Sequence, residues 1–247
     1  MSETSIASVR GRRVWDSRGR PTVEAEVVLE GGARGRAIAP AGASRGSGEA
    51  LDLRDGGSAF GGFDVRRAVA AVNGEIARAL NGLDAAAQEQ VDRALIEIDG
   101  TPGKTRLGAN ACIATSMAVA HAAAAAAGVP VWRHLKPEGA ALPLPEIQIF
   151  GGGAHAGRRV DVQDFMVLCP GASCFAEALD WTAEVYRAAG RLMADAGRLK
   201  GVADEGGFWP AFSSNEQALD VLVRAIERAG YRPGEQVAIA LDVAASE

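Results

Sequence analysis

The chain has 247 residues, of which 48% are hydrophobic and 23% charged, enough for a sizeable core in one large domain or two smaller ones. Its formal net charge of −5 gives no electrostatic reason to expect a nucleic acid or an anionic membrane as partner. Three cysteines without metal-ligand spacing predict reduced thiols rather than a disulfide framework. With no apolar run of the signal-peptide kind, and an alanine-rich core helix at residues 111–127, we expect a cytoplasmic protein.

The first part of the chain predicts a small sheet followed by helices. Residues 22–29 alternate, with apolar side chains on one face and Glu24 and Glu26 on the other, which predicts a half-exposed strand. A Gly-Gly turn and a returning strand at residues 34–39 complete a hairpin. Apolar residues at helical spacing predict three helices, at residues 65–80, 85–98 and 110–127.

The pattern changes near Gly139. Residues 142–150 and 160–168 predict two strands joined by a glycine-rich turn, and residues 237–242 (VAIALD) are typical of a strand buried on both faces. Between them, two helices are predicted at residues 175–196 and 215–229. The order ββααβ predicts the beginning of a parallel or mixed α/β barrel.

Two glycine-rich loops could approach a ligand. The loop at residues 39–50 combines glycines with the hydroxyl group of Ser44, although most such loops are only turns. His155 follows Gly151-Gly152-Gly153 directly after a strand, where a single histidine is as often structural as functional.

Acidic and amide side chains mark three further places. Gln163 and Asp164 lie in an otherwise apolar strand, where a polar pair needs hydrogen-bonding partners or a function. Asp204 and Glu205 precede two glycines, which suits acid–base chemistry or metal binding but also a solvated turn. Asp242 ends an apolar strand, where barrel enzymes place catalytic and metal-binding groups. Together these residues predict an acidic site with a divalent metal, and they indicate no substrate.

Longer blocks of sequence carry a resemblance to a known family. DSRGRPTVEAEV, GASRG, ALDLRDG, AVAAVNGEIARAL, LIEIDGTPGKTRLGANA, GGGAHA, VQDFM, DEGGF and LDVAASE occur in the order and spacing of enolases, over nearly the whole chain. The chain therefore resembles the enolase family. The resemblance implies an α+β N-terminal domain at residues 1–138, followed at residues 139–247 by the first part of an enolase-type α/β (TIM-like) barrel, incomplete.

The resemblance also implies a reaction. Enolases dehydrate 2-phosphoglycerate to phosphoenolpyruvate with two Mg²⁺ ions, which stabilise the enolate while a base removes a weakly acidic proton. By motif, Glu205 would be the general acid, and Asp164 falls where the family has a glutamate that supports this acid. His155 would approach the phosphate side of the substrate, and Gln163 would help to fix the site.

Two metal ligands are implied within the chain. Ser44, on a mobile loop, would bind the second Mg²⁺, and Asp242 would be the first of three carboxylate ligands of the tighter one. The family's other metal carboxylates, its lysine base and its phosphate-binding arginine lie beyond Glu247. The resemblance therefore implies a fragment, inactive as a dehydratase when alone, of a longer protein that forms a homodimer.

The chain departs from the family's usual residues around the ligand. Ala41 and Arg45 replace serine and threonine, Gly151 replaces asparagine, Asp164 replaces glutamate, Ala203 replaces glycine, and Trp209 adds bulk. Because these changes cluster, they suggest an altered substrate. Three hypotheses stay open: a phosphopyruvate hydratase of glycolysis, a divergent paralogue such as the carboxyphosphonoenolpyruvate synthases of phosphonate and phosphinate antibiotic biosynthesis, and a non-catalytic fragment or binding protein.

Overall fold

The structure is a computed structural model that describes residues 2–42, 44–139 and 141–246. The chain divides into two compact units, Met1–Gly42 with Gly48–Ala140, and Ala43–Ser47 with Ala141–Glu247. The domain limits inferred from the sequence, 1–138 and 139–247, stay a prediction.

The first unit is built on an antiparallel sheet of three strands in the order β1-β2-β3: β1 (Ile6–Trp15), β2 (Pro21–Leu29) and β3 (Arg34–Ala39). The sequence pattern does not predict β1, because arginines on its outer face and Gly11 on its inner face hide the alternation. The glycine is required there, since a Cβ atom on Gly11 would lie 2.7 Å from Val72 Cβ. The inner faces of all three strands line the core of this unit.

The prediction that β2 is half-exposed is wrong at Glu24. This side chain is only 4% exposed, although it lies on the face that the alternation assigned to solvent. Arg12 of β1 is hydrogen-bonded to Glu24, and Arg36 Nε of β3 lies 3.4 Å from its Oε2 atom. Because β2 is the central strand, arginines from both neighbours cover its glutamate.

Helices cover the other side of this sheet. They are α1 (Arg66–Ala71), α2 (Ala77–Leu80), α3 (Gln88–Asp99), α4 (Ala109–Ala126) and α5 (Val131–Leu135). One continuous helix was predicted at residues 65–80, but a π-helical turn, Val72–Ile76, separates α1 from α2. The Asn73 side chain in this turn accepts a hydrogen bond from Gly11 N and donates one to Gly11 O, both 2.9 Å long. The turn thus fastens the helix to β1.

Helix α4 lies in the core of the first unit. Among the described helices, this one has the length and composition of a membrane span, yet 67% of it is buried inside the chain, as in a core helix. It approaches β3 so closely that a Cβ atom on Gly35 would lie 2.1 Å from Ala118 O and 2.2 Å from Ala122 N. Alanine on the helix and glycine on the strand permit this contact.

Replacing Gly35 by alanine should therefore destabilise the first unit. Backbone atoms of α4 cannot rotate away from the new methyl group, so we expect a loss of about 3 kcal/mol or more in the free energy of unfolding. Urea unfolding followed by circular dichroism measures the loss. Gly74→Ala is the matched control, because a Cβ atom there meets nothing within 4 Å. Equal urea midpoints for Gly35→Ala and the unaltered chain would refute the close approach of α4 to β3.

The second unit contains three strands and two long helices: β4 (Ile147–Gly151), β5 (Asp164–Leu168), α6 (Phe175–Asp195), α7 (Asn215–Arg228) and β6 (Ala238–Asp242). The sheet order is β4-β5-β6, and β5 runs antiparallel to both neighbours. The predicted strands on either side of the glycine-rich turn began at residues 142 and 160, several residues before β4 and β5 begin. Pro143 and Pro145 explain the first, because proline cannot donate a ladder hydrogen bond.

The prediction that β6 is buried on both faces is also wrong. Its first residues are half-buried, whereas Leu241 is 43% exposed and Asp242 is exposed. Within the described residues β6 pairs only with β5, so it is an edge strand. The core of this unit lies instead between the sheet and the helices, where Phe150 and Phe212 pack edge to face with ring centres 5.0 Å apart.

Candidate functional site

One edge of the second unit's sheet collects the polar residues that the sequence singled out. Because β5 is antiparallel to β4 and β6, its first residue, Asp164, lies beside the last residues of both neighbours. In register, Asp164 pairs with Gly151 of β4 and with Asp242 of β6. The backbone alone thus brings together residues that are far apart in the sequence.

A short 3-10 helix after β4, Gly153–Ala156, carries His155 to this edge. The buried imidazole has its Nε2 atom 3.6 Å from Glu205 Oε1 and 3.8 Å from Asp164 Oδ1. Neither ring nitrogen has a hydrogen-bond partner among the described residues. One nitrogen always carries a proton, and an unpaired buried donor costs about 1–3 kcal/mol. Such a ring can form a hydrogen bond with a bound group, and the predicted role of His155 in substrate binding stays a prediction.

Glu205 lies on a tight turn that is fastened to the end of β4. Phe208 forms a parallel bridge to Phe150 of β4, and Ala203 N donates to Gly207 O across the turn at 2.7 Å. The Glu205 side chain is 56% exposed. Its carboxyl group is thus open to solvent on one side while one oxygen approaches the buried imidazole.

Helix α6 packs against the same turn. Tyr186 Oη donates a 2.8 Å hydrogen bond to Gly206 O, and its ring stacks on that of Phe208 with centres 4.2 Å apart. A Cβ atom on Gly190 would lie 2.8 Å from the Phe208 ring, so the glycine admits this aromatic pair. Burial raises the pKa of Tyr186 above its ordinary value of 10, so its hydroxyl group donates at neutral pH.

Gln163 lies between two carboxylates. Its Nε2 atom is 3.3 Å from Asp242 Oδ2 and 3.5 Å from Asp164 Oδ2, and its backbone N donates to Asp242 O at 3.0 Å. Ala244 N holds the other oxygen, Oδ1, of Asp242 at 2.9 Å. The carboxylate of Asp242 is therefore oriented by backbone and amide groups while its side chain stays exposed.

Gln148, which the sequence did not single out, also lies within this site. Its Nε2 atom donates to Asp164 Oδ1, and its Oε1 atom accepts a 2.9 Å hydrogen bond from Gly207 N. Gln148 alternates with apolar residues in β4, and this polar residue within an apolar strand was the signal that could have drawn attention to it.

Two family comparisons agree with this architecture. Residues 6–135 match the family described as enolase, N-terminal domain. Residues 139–247 match the family described as enolase, C-terminal TIM barrel domain. The chain belongs to the enolase family. The predicted fold class is confirmed: an enolase N-terminal domain with an antiparallel sheet precedes the start of the enolase TIM barrel domain.

Two of the departures from the enolase pattern touch each other. Gly151 replaces an asparagine and Ala203 replaces a glycine, and a Cβ atom on Gly151 would lie 2.6 Å from Ala203 Cβ. Only one of the two positions can therefore carry a side chain without movement of the backbone. The methyl group of Ala203 thus occupies the space that a side chain at position 151 would take.

The enolase roles of the six predicted site residues stay predictions. Four of them meet at the sheet edge: His155, Gln163, Asp164 and Asp242, with Glu205 on the adjoining turn. Ser44 is half-buried, and residues 44–47 belong to the second unit. Within the described part of the chain, its hydroxyl group makes no hydrogen bond to the other five.

A cation could bind at either of two places, a cluster of three side chains or the single carboxylate of Asp242. One ligand atom from each of His155, Asp164 and Glu205 lies within 4.8 Å of the others. Mg²⁺ prefers oxygen ligands, so a group that includes an imidazole suits it poorly. The carboxylate of Asp242, at a strand end and steadied by Gln163, has the donor chemistry that Mg²⁺ requires. The donor chemistry therefore favours acid–base chemistry for the first group and metal binding for Asp242, and both roles stay predictions.

Proposed function

We propose that the chain is part of an enolase-like lyase that dehydrates 2-phosphoglycerate to phosphoenolpyruvate with Mg²⁺. The observation that carries the proposal is the meeting of Glu205, His155 and Asp164 at the sheet edge that ends in Asp242. A proton donor, a buried imidazole and a metal-binding carboxylate at one edge fit the removal of a hydroxyl group next to a carbanion.

The residues divide the work by their surroundings. Mg²⁺, when bound by Asp242, would stabilise the negative charge that develops on the substrate's carboxylate. Glu205, on a solvent-open turn, is the residue that would pass a proton to the departing hydroxyl. His155 offers a buried ring nitrogen to the phosphate side of the substrate. Asp164 has a carboxylate oxygen 3.8 Å from the His155 ring and within 4.8 Å of a Glu205 oxygen, so its charge acts on both groups.

A paralogue of the carboxyphosphonoenolpyruvate synthase kind is the second candidate. The cluster of departures around the ligand favours it, because such changes alter the shape of a site. The contact between Gly151 and Ala203 weighs against it, since these two replacements compensate each other in space. The hydratase of glycolysis is therefore our first choice, with a cytoplasmic location and a homodimeric full-length protein as parts of the proposal.

The polypeptide encoded by the complete reading frame should convert 2-phosphoglycerate. The product, phosphoenolpyruvate, is followed by its ultraviolet absorbance in the presence of Mg²⁺. Chelation of the metal should abolish the reaction, and added Mg²⁺ should restore it. No turnover of 2-phosphoglycerate, together with turnover when a phosphonoformyl-bearing substrate is supplied, would reject the hydratase in favour of the paralogue.

A further inference from the structure

A single amide joins two parts of the proposed site. Gln148 of β4 donates from Nε2 to Asp164, the first residue of β5, and accepts at Oε1 from the backbone of Gly207. Gly207 closes the turn that carries Glu205. An amide has one end that only donates and one that only accepts, so the two contacts use opposite ends of one rigid group.

Two glycines make room for this amide inside the site. A Cβ atom on Gly207 would lie 2.4 Å from Gln148 Oε1, and one on Gly151 would lie 3.1 Å from the same oxygen. Glycine at both positions makes room for the Gln148 side chain. The bridge is thus packed into the structure and is not a chance contact at the surface.

Side-chain lengths explain why glutamine is suited to this place. Asp164 is one methylene group shorter than the glutamate that enolases usually have there, so its carboxylate ends nearer to the backbone of β5. The long side chain of Gln148 spans the gap from β4 and still reaches Gly207 N at 2.9 Å. We expect a shorter amide to lose one of the two contacts.

We propose that Gln148 is a positioning residue, which sets the distance between the Asp164 carboxylate and the turn that carries Glu205. The proposal rests on the proposed function and deepens it. It assigns to Gln148 no contact with substrate. Its effect on the reaction passes through the two groups that it holds, and a misplacement of about 1 Å can cost about a hundredfold in rate.

The proposal is tested by exchanging the side-chain lengths of Gln148 and Asp164 in the polypeptide of the complete reading frame. Gln148→Asn and Asp164→Glu should each lower kcat by roughly ten- to a hundredfold, with KM changed much less. The double variant, which moves one methylene group from one partner to the other, should recover at least about tenfold over either single variant. A double variant slower than both single variants would overturn the positioning role.

Hydrogen exchange tests the bridge without any activity, in the 247-residue chain itself. In Gln148→Ala the Gly207 amide should exchange about tenfold faster, because it loses its acceptor. Gln217→Ala is the matched control: Gln217 Oε1 accepts from Ser213 N at 2.9 Å, away from the site. That variant should speed exchange at Ser213 and leave Gly207 unchanged.

The two readouts separate the two proposals. Unchanged exchange at Gly207 in Gln148→Ala would overturn the bridge, whatever the enzyme does. If the unaltered protein fails to dehydrate 2-phosphoglycerate while Gly207 exchange responds as expected, the bridge stands and the proposed function falls.

Discussion

Glu205→Gln should lower turnover of 2-phosphoglycerate by roughly two to four orders of magnitude, which is the usual contribution of acid–base catalysis. Glutamine keeps the shape of the side chain and its hydrogen bonding but has no proton to transfer. The carboxyl group is open to solvent on one side and 3.6 Å from the His155 imidazole on the other, so its loss should disturb the packing little. Steady-state kinetics in the polypeptide of the complete reading frame measures the change.

Magnesium affinity distinguishes this role from metal binding. Because Asp242, not Glu205, carries the metal in our assignment, Mg²⁺ titration of Glu205→Gln by calorimetry should give nearly the unaltered affinity. Glu227→Gln, an exposed change on α7, is the control for the chemical substitution and should leave turnover unchanged. Full turnover in Glu205→Gln would remove this residue from the chemistry, and the enolase-like assignment of the turn would fail with it.

Asp242→Asn should show the opposite pattern, with the loss of Mg²⁺ affinity first. The substitution removes the charge of a hard oxygen ligand while leaving a side chain of the same size, so we expect Mg²⁺ to bind at least about tenfold more weakly. Turnover should be partly restored by raising the Mg²⁺ concentration, which would not rescue Glu205→Gln. Calorimetric titration and metal-dependent kinetics measure both effects.

The same loss of one charge elsewhere on the second unit provides the comparison for Asp242→Asn. Asp220→Asn removes one negative charge from the exposed face of α7 and should leave Mg²⁺ affinity as it was. An equal loss of affinity in both variants would mean that net charge, and not coordination, attracts the ion. Unaltered affinity in Asp242→Asn would move the metal away from this strand end.

Elements whose cause is local were predicted well. Helix α7 was expected at residues 215–229 and spans Asn215–Arg228, with Ser214 as a cap that accepts from Gln217 N. Its periodicity and its cap are properties of neighbouring residues. Strand β1 escaped prediction because its burial is set from outside, by Val72 against Gly11.

The site shows the same division. Acidic residues beside glycines, such as Glu205, stand out in a sequence because charge and flexibility are local. Gln148 does not, because its partner Gly207 comes close to it only through the fold. The exposure of Asp242 was mispredicted for a related reason: an apolar strand indicates burial, but its neighbours decide how much.

The contact between Gly151 and Ala203 has an evolutionary consequence. A Cβ atom on Gly151 would lie 2.6 Å from Ala203 Cβ, so side chains on both positions would force the backbone to move. A chain with the usual asparagine and glycine at these places avoids this contact on the way to the present pair if the asparagine is lost first. The intermediate carries glycine at both positions and leaves a small gap at the base of the turn. We therefore expect the two sites to be epistatic, with loss of the asparagine favoured before gain of the alanine.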